Sequence, residues 1–194
     1  MTTNPNISTE IVQREGPILK EVCLPVSEKE IDTTAFRKIL DRMQSILETQ
    51  KDGVALAAPQ IGINKRIFVV SPRAFEIINA EKETTDPEGK SIKPKKEHLI
   101  YINPEISKLS RQKKLLEEGC LSVRYAYGKV YRHERATVTA LDEKGQRFTR
   151  GAGGILAQIF QHETDHLNGH LFIEKAEELE EVTPEQYEKM MAEA

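Results

Sequence analysis

Two histidines one helical turn apart, His162 and His166, with Glu163 beside the first, constrain this chain more than any other feature. They close a segment, Ile155 to Asn168, in which Ile155, Leu156, Ile159, Phe160 and Leu167 recur at helical spacing. Gly151-Ala152-Gly153-Gly154 leads into this predicted helix, and Gly169 stands where a helix ends. Residues four apart on a helix stack on one face, so both imidazoles can reach a single divalent metal. The apolar stripe runs into the histidines, which turns the pair inward. Buried imidazoles with acidic neighbours need a reason, and a shared metal supplies one. Glu163 projects close to the same point, where it can act as a base on water. The plainer alternative is two surface histidines flanking a charged turn.

A third soft ligand is available upstream. The chain has two cysteines, Cys23 and Cys120, too few for a disulfide framework. Cys120 lies in Glu118-Gly119-Cys120-Leu121-Ser122, where Gly119 allows close approach of a backbone. Taken alone, this Cys reads equally as a buried apolar residue. Beside two helical histidines it reads as a thiolate ligand. Two imidazoles and one thiolate leave a tetrahedral ion one open position, as catalytic sites require. Cys23 lacks such a context and reads as a core residue. A third segment, Gly53 to Gly62, is built of small residues around one polar group, Gln60. A buried Gln must find partners; its amide either donates to a substrate oxygen or bonds to backbone.

The rest of the chain supplies a scaffold. At 194 residues it suits one domain, 1–194. Residues 1–12 read as a flexible tail within an extended arm broken by Pro5, Pro17 and Pro25. Asp32 to Gln50 predicts a core-facing helix, with Phe36, Leu40, Met43 and Leu47 on one stripe. Strands are expected at Ile67 to Val70 and at Leu99 to Ile102, the second stopped by Asn103-Pro104. Ala136 to Leu141 and Gln146 to Thr149 predict a hairpin turning at Lys144-Gly145. Residues 81–97 read as a polar inserted loop. Thr183-Pro184-Glu185-Gln186 is a capping box that opens a C-terminal helix at 183–194. Helices and strands are segregated, an α+β pattern.

The three segments, in this order and spacing, resemble the motifs of the peptide deformylases of bacterial type, from about residue 13 to residue 174. The resemblance implies antiparallel or mixed β-sheets packed around a central metal-binding helix. It also implies metal-dependent hydrolysis of the formyl group from the N-terminal formylmethionine of nascent polypeptides, with release of formate. On that resemblance Cys120, His162 and His166 are the metal ligands, and Glu163 is the general acid and base. Gln60 and the Leu121 N–H face the formyl oxygen. Glu118 anchors the site, and Arg132 is its ion-pair partner. Val54, Ala55, Gly119, Ile155 and Ile159 contact substrate. The implied cofactor is one Fe²⁺ per chain, with Zn²⁺ or Ni²⁺ able to substitute. The chain departs from the family pattern at three places. Ala55 stands where a second glycine is usual, Arg124 where many members have Pro, and Gln158 where an apolar residue is common.

Two other readings fit part of the sequence. A metallopeptidase would share the two histidines and Glu163 but take its third ligand downstream, where His170 is the candidate. A metal-stabilised binding module would not need Glu163 or Gln60. The net charge of -3 gives no reason to expect direct nucleic-acid binding, although the family's role implies proximity to the ribosome. No apolar run of about 18 residues is present, and Met1 to Glu10 lacks the features of a secretory signal. No membrane association is therefore expected, and a cytoplasmic location is.

Overall fold

The computed structural model describes residues 11–81 and 97–193. Residues 1–10 of the expected tail, and nearly all of the polar loop expected at 81–97, lie outside the described residues. The helices are α1 (Glu28–Ile31), α2 (Thr34–Thr49), α3 (Arg73–Glu81), α4 (Gly154–Leu167) and α5 (Pro184–Glu193). Strands β1 (Ala55–Ala57), β2 (Ile67–Val70), β3 (Leu99–Leu109), β6 (Arg135–Leu141) and β7 (Arg147–Gly153) form one sheet, ordered β1-β2-β3-β6-β7. Strands β4 (Lys113–Cys120), β5 (Val123–His133) and β8 (Ala176–Glu181) form a second, ordered β4-β5-β8. Every pairing of named strands is antiparallel.

The core explains why α4 is central. The four residues of β2 are all buried because both faces of the sheet are covered. Ile67 and Val69 pack with Leu40, Met43 and Leu47 of α2. Phe68 and Val70 face the other way, into a cluster with Tyr101 and with Leu156 and Phe160 of α4. Phe68 stacks on Tyr101 at 4.5 Å, and Phe160 meets Tyr101 edge-on at 5.3 Å. Helix α4 also touches β5 of the second sheet, so it lies between the two sheets. Gln161 fastens it there: its amide accepts from His133 N–H and donates to His133 O, both at 2.9 Å.

Local chemistry sets the helix ends. Thr33 Oγ1 accepts from Phe36 N–H at 3.1 Å and opens α2. At α5, Gln186 Oε1 accepts from Thr183 N–H at 2.7 Å, and Thr183 Oγ1 accepts from Gln186 N–H at 3.2 Å.

Three expectations are corrected. The second strand does not stop at Asn103-Pro104 but runs on to Leu109. Asn103 takes φ of 49°, and the pairing with β6 slips between Ile102 and Glu105, so the chain bulges and continues. The hairpin's second strand, expected over Gln146 to Thr149, begins at Arg147 and runs on to Gly153, where α4 follows directly. Residues 11 and 12, assigned to a flexible tail, are anchored. Ile11 is buried, and Val12 N–H donates to Gln60 O at 2.8 Å.

Gly169 ends α4 with φ of +78°, and a Cβ there would sit 2.7 Å from Lys20 O. The left-handed conformation costs a residue with a Cβ about 1–2 kcal/mol, and overpacking adds roughly 1–3 kcal/mol. Gly169→Ala should therefore lose about 3 kcal/mol and lower Tm by roughly 6–12 °C in calorimetry. A shift below about 2 °C would mean that the arm at Lys20 gives way freely.

Candidate metal centre and its cleft

Helix α4 presents His162 and His166 on one face, with ring centroids 5.0 Å apart. Strand β4 ends at Cys120, whose Sγ lies 3.2 Å from His166 Nε2. One ligand atom from each of the three residues falls within 4.8 Å of the others. Among the described residues this is the group that could hold a metal ion. Such spacing suits one ion with bonds of about 2.0–2.3 Å.

The surroundings fit a cation. His162 Nδ1 is 2.9 Å from Glu118 Oε2, which fixes the tautomer and leaves Nε2 for the cluster. Glu118 in turn accepts from Arg132 Nε and Nη2 at 2.7 and 2.9 Å. Burial works to raise the Glu118 carboxyl, but the hydrogen bonds from Arg132 and His162 overcome it and hold the group at about 2. Arg132 also reaches Asp165 at 2.6 Å, so one buried guanidinium ties β5 to α4 and β4. Burial pushes the His166 imidazole well down, which keeps it neutral and able to ligate. His162 is raised well above its ordinary value, because hydrogen bonds to Cys120 and Glu118 outweigh the cost of burial. At His162, the neighbouring groups thus favour a cation.

Glu163 follows His162 and is buried. Burial pushes its carboxyl up to about 7, with Glu118 adding to the rise and His162 and Arg132 opposing it. Its Oε2 has no hydrogen-bond partner among the described residues. A carboxyl held near neutrality in a cleft is suited to taking and giving a proton. Gln60 lies in a short 3-10 turn, Ala58–Ile61, after β1. Its Oε1 accepts from Ala57 N–H at 2.8 Å, while Nε2 points to Ser122 Oγ at 3.2 Å and Cys120 Sγ at 3.5 Å. Of the two sequence readings of this amide, the bond to backbone is present at Oε1, and Nε2 is turned toward Ser122 and Cys120.

A cavity of about 380 Å³ joins these groups. Val54, Ala55, Gln60, Glu118, Gly119, Cys120, Leu121, Ile155, Ile159, His162 and Glu163 line it. Arg132 and His166 sit behind this lining, both almost wholly buried. His170, the downstream candidate, is outside the cluster: its exposed ring pairs with Glu174 at 2.9 Å.

Sequence reasoning missed Ser122 and Asp165 as participants, and it singled out Gln158 only as a departure from the family pattern. Ser122 is fully buried against Gln60 and stood inside a recognised motif. Gln158 donates to Glu117 O at 2.8 Å and to Glu118 Oε1 at 3.3 Å, so its departure from the family pattern joins the network around Glu118. Asp165 is held by Arg132 and by Lys175, each at 2.6 Å. Its place between the two histidines was the available signal.

Two imidazoles, a thiolate and a buried carboxyl converging on one cleft define a metal-dependent hydrolase. The family model for polypeptide deformylase matches residues 8–182. A peptide deformylase of Carboxydothermus hydrogenoformans is 39% identical over 170 residues, 88% of this chain and 94% of that one. The actinonin-bound class I type b peptide deformylase of Acinetobacter baumannii superposes with a TM-score of 0.70 at 34% identity, covering 86% of this chain and 96% of its own. The same enzyme bound to Met-Ala-Ser gives 0.69 at 33% identity, covering 85% and 97%. The chain belongs to the polypeptide deformylase family. Its reaction is hydrolytic removal of the formyl group from N-terminal formylmethionine, with release of formate.

Proposed function

We propose that Cys120, His162 and His166 hold one divalent metal, that Glu163 carries the proton, and that Gln60 and the Leu121 N–H meet the formyl oxygen. The observation that carries this reading is the convergence of the three ligand atoms within 4.8 Å in the same cleft as Glu163. When bound, the metal supplies a nucleophile from water at neutral pH and polarises the carbonyl. Glu163 accepts a proton from the attacking water as the new C–O bond forms. Gln60 Nε2 and the Leu121 N–H donate to the oxygen as negative charge develops there; one such donor is typically worth about 2.7–4 kcal/mol. Glu163 then returns the proton to the departing nitrogen as the C–N bond breaks, leaving formate and a free amino terminus. Glu118, locked by Arg132, keeps His162 in its ligating tautomer.

Val54, Ile155 and Ile159 form the apolar wall for the methionine side chain, with Ala55 and Gly119 flanking the substrate backbone. The Met-Ala-Ser bound to the Acinetobacter baumannii enzyme supports a peptide in this cleft. The ion is Fe²⁺, with Zn²⁺ or Ni²⁺ as substitutes, since imidazole and thiolate donors suit all three. We place the enzyme in the cytoplasm, acting on nascent chains near the ribosome. No described helix is long and apolar enough to cross a membrane.

The test is formate release from a formyl-Met tripeptide by anaerobically purified protein of known metal content. Turnover should track about one iron per chain, vanish on chelation and return with added Fe²⁺. Full metal occupancy without release would overturn the assignment in favour of a binding module. Equal activity with zinc alone would overturn the choice of iron.

A further inference from the structure

The cavity extends past the proposed metal and methionine sites to a rim assembled from three distant parts of the chain. Its outer lining includes Asp52, Arg124, Tyr125, Tyr127 and, from α5, Tyr187. Arg124, the residue standing where many relatives have Pro, organises this rim. Its Nη1 donates to Asp52 Oδ2 at 2.8 Å and to Tyr187 Oη at 3.1 Å, and its Nη2 donates to Gln50 Oε1 at 2.5 Å. Tyr187 Oη donates to Asp52 Oδ2 at 2.5 Å, and its ring meets Tyr125 edge-on at 5.3 Å. The C-terminal helix is thereby clasped against the mouth of the cleft.

We infer that Tyr187, held by Arg124 and Asp52, is a specificity-determining residue that reads the peptide beyond its formylmethionine and favours apolar or aromatic residues there. This inference rests on the proposed placement of the formyl group at the Cys120–His162–His166 cluster. With the formyl group there and the methionine against Val54, Ile155 and Ile159, the following residues must leave through the remaining cavity. What they meet is a row of phenol rings. Among the described residues that line the cavity, the one guanidinium is already neutralised: Arg124 is only 10% exposed in its side chain and is paired with Asp52. An acidic residue on the peptide finds no uncommitted charge in this clasp, whereas an apolar one removes its own surface and that of the rings from water. Burial raises the Tyr187 phenol, and its hydrogen bond to Asp52 adds to the rise, so the hydroxyl remains a neutral donor that braces the wall.

The experiment compares formate release from formyl-Met-Phe-Phe amide, formyl-Met-Asp-Asp amide and formyl-Met amide, using the metal-loaded full chain. The wild-type protein should favour the diphenylalanine peptide over the diaspartate one by about tenfold or more in kcat/KM. Tyr187→Ala should cut the preference for formyl-Met-Phe-Phe amide over formyl-Met amide about fivefold, mainly through KM. Tyr187→Phe keeps the ring but loses both clasp hydrogen bonds, and should cut it about twofold. The Phe variant keeps the test decisive if the Ala variant does not fold. An unchanged ratio, or equal losses on both substrates, overturns the inference and leaves α5 a structural brace. In both of those outcomes formate is still released, so the deformylase reading stands. Release from none of the three peptides by the wild-type protein would instead defeat that reading, and this inference with it.

Discussion

Glu163→Ala should bind its metal as the wild type does and lose nearly all turnover. Glu163 contributes no atom to the Cys120–His162–His166 group, so metal content should stay near one per chain. A positioned general acid–base contributes about 10²–10⁴-fold, and here one carboxyl is asked to move the proton both ways. The expected fall in kcat is of that size, a barrier increase of roughly 2.7–5.4 kcal/mol. Stability should move the other way or not at all. Glu163 is buried with one oxygen that has no partner among the described residues, and a carboxylate in that setting costs folding energy unless it is paired. A Tm equal to or above wild type, with rate lost and metal kept, separates a chemical role from a structural one. More than a tenth of the wild-type rate in the variant would mean that some other group carries the proton.

The parts of this site that were legible in the sequence are those written in local spacing. His162 and His166 share a face because a helix brings residues four apart together, and the apolar stripe of α4 fixed which way that face points. The helix α2 and the hairpin of β6 and β7 follow from periodicity in the same way. The capping box at Thr183 formed as its four residues dictate. The second sheet was not legible. Strand β4 reads Lys-Lys-Leu-Leu-Glu-Glu-Gly-Cys, with two leucines adjacent rather than alternating, and its buried position is a glutamate. A charged residue enters the core only because Arg132, fourteen positions away, arrives opposite it. Hydropathy carries no trace of such a pair. The rim clasp is further still from local pattern: Arg124 meets Asp52 across 72 positions, and Tyr187 meets Asp52 across 135. Arg124 could be singled out as unusual, but its partners could not be named until the chain was folded.

Cys120→Ala should disarm the enzyme by a different route. Here the metal itself is lost, and activity goes with it. Removing a partner that merely orients a ligand typically costs about 10–100-fold in metal affinity. Removing a ligand should cost more than that, because two imidazoles alone leave the ion half-coordinated and discard the thiolate's charge. His162 and His166 would also remain beside Glu118 and Arg132 in a buried network whose charges were arranged around a cation. The variant should therefore come off purification with little bound metal and respond to added Fe²⁺ only at concentrations at least about a hundredfold above those that load the wild type. Pairing it with Glu163→Ala makes the two results diagnostic. One variant keeps the ion and loses the proton carrier; the other keeps the proton carrier and loses the ion. Tight stoichiometric metal in Cys120→Ala would remove Cys120 from the ligand set and oblige Gln60, Glu163 or a solvent ligand to take its place. The 3.2 Å approach of its sulfur to His166 Nε2 would then record packing rather than coordination.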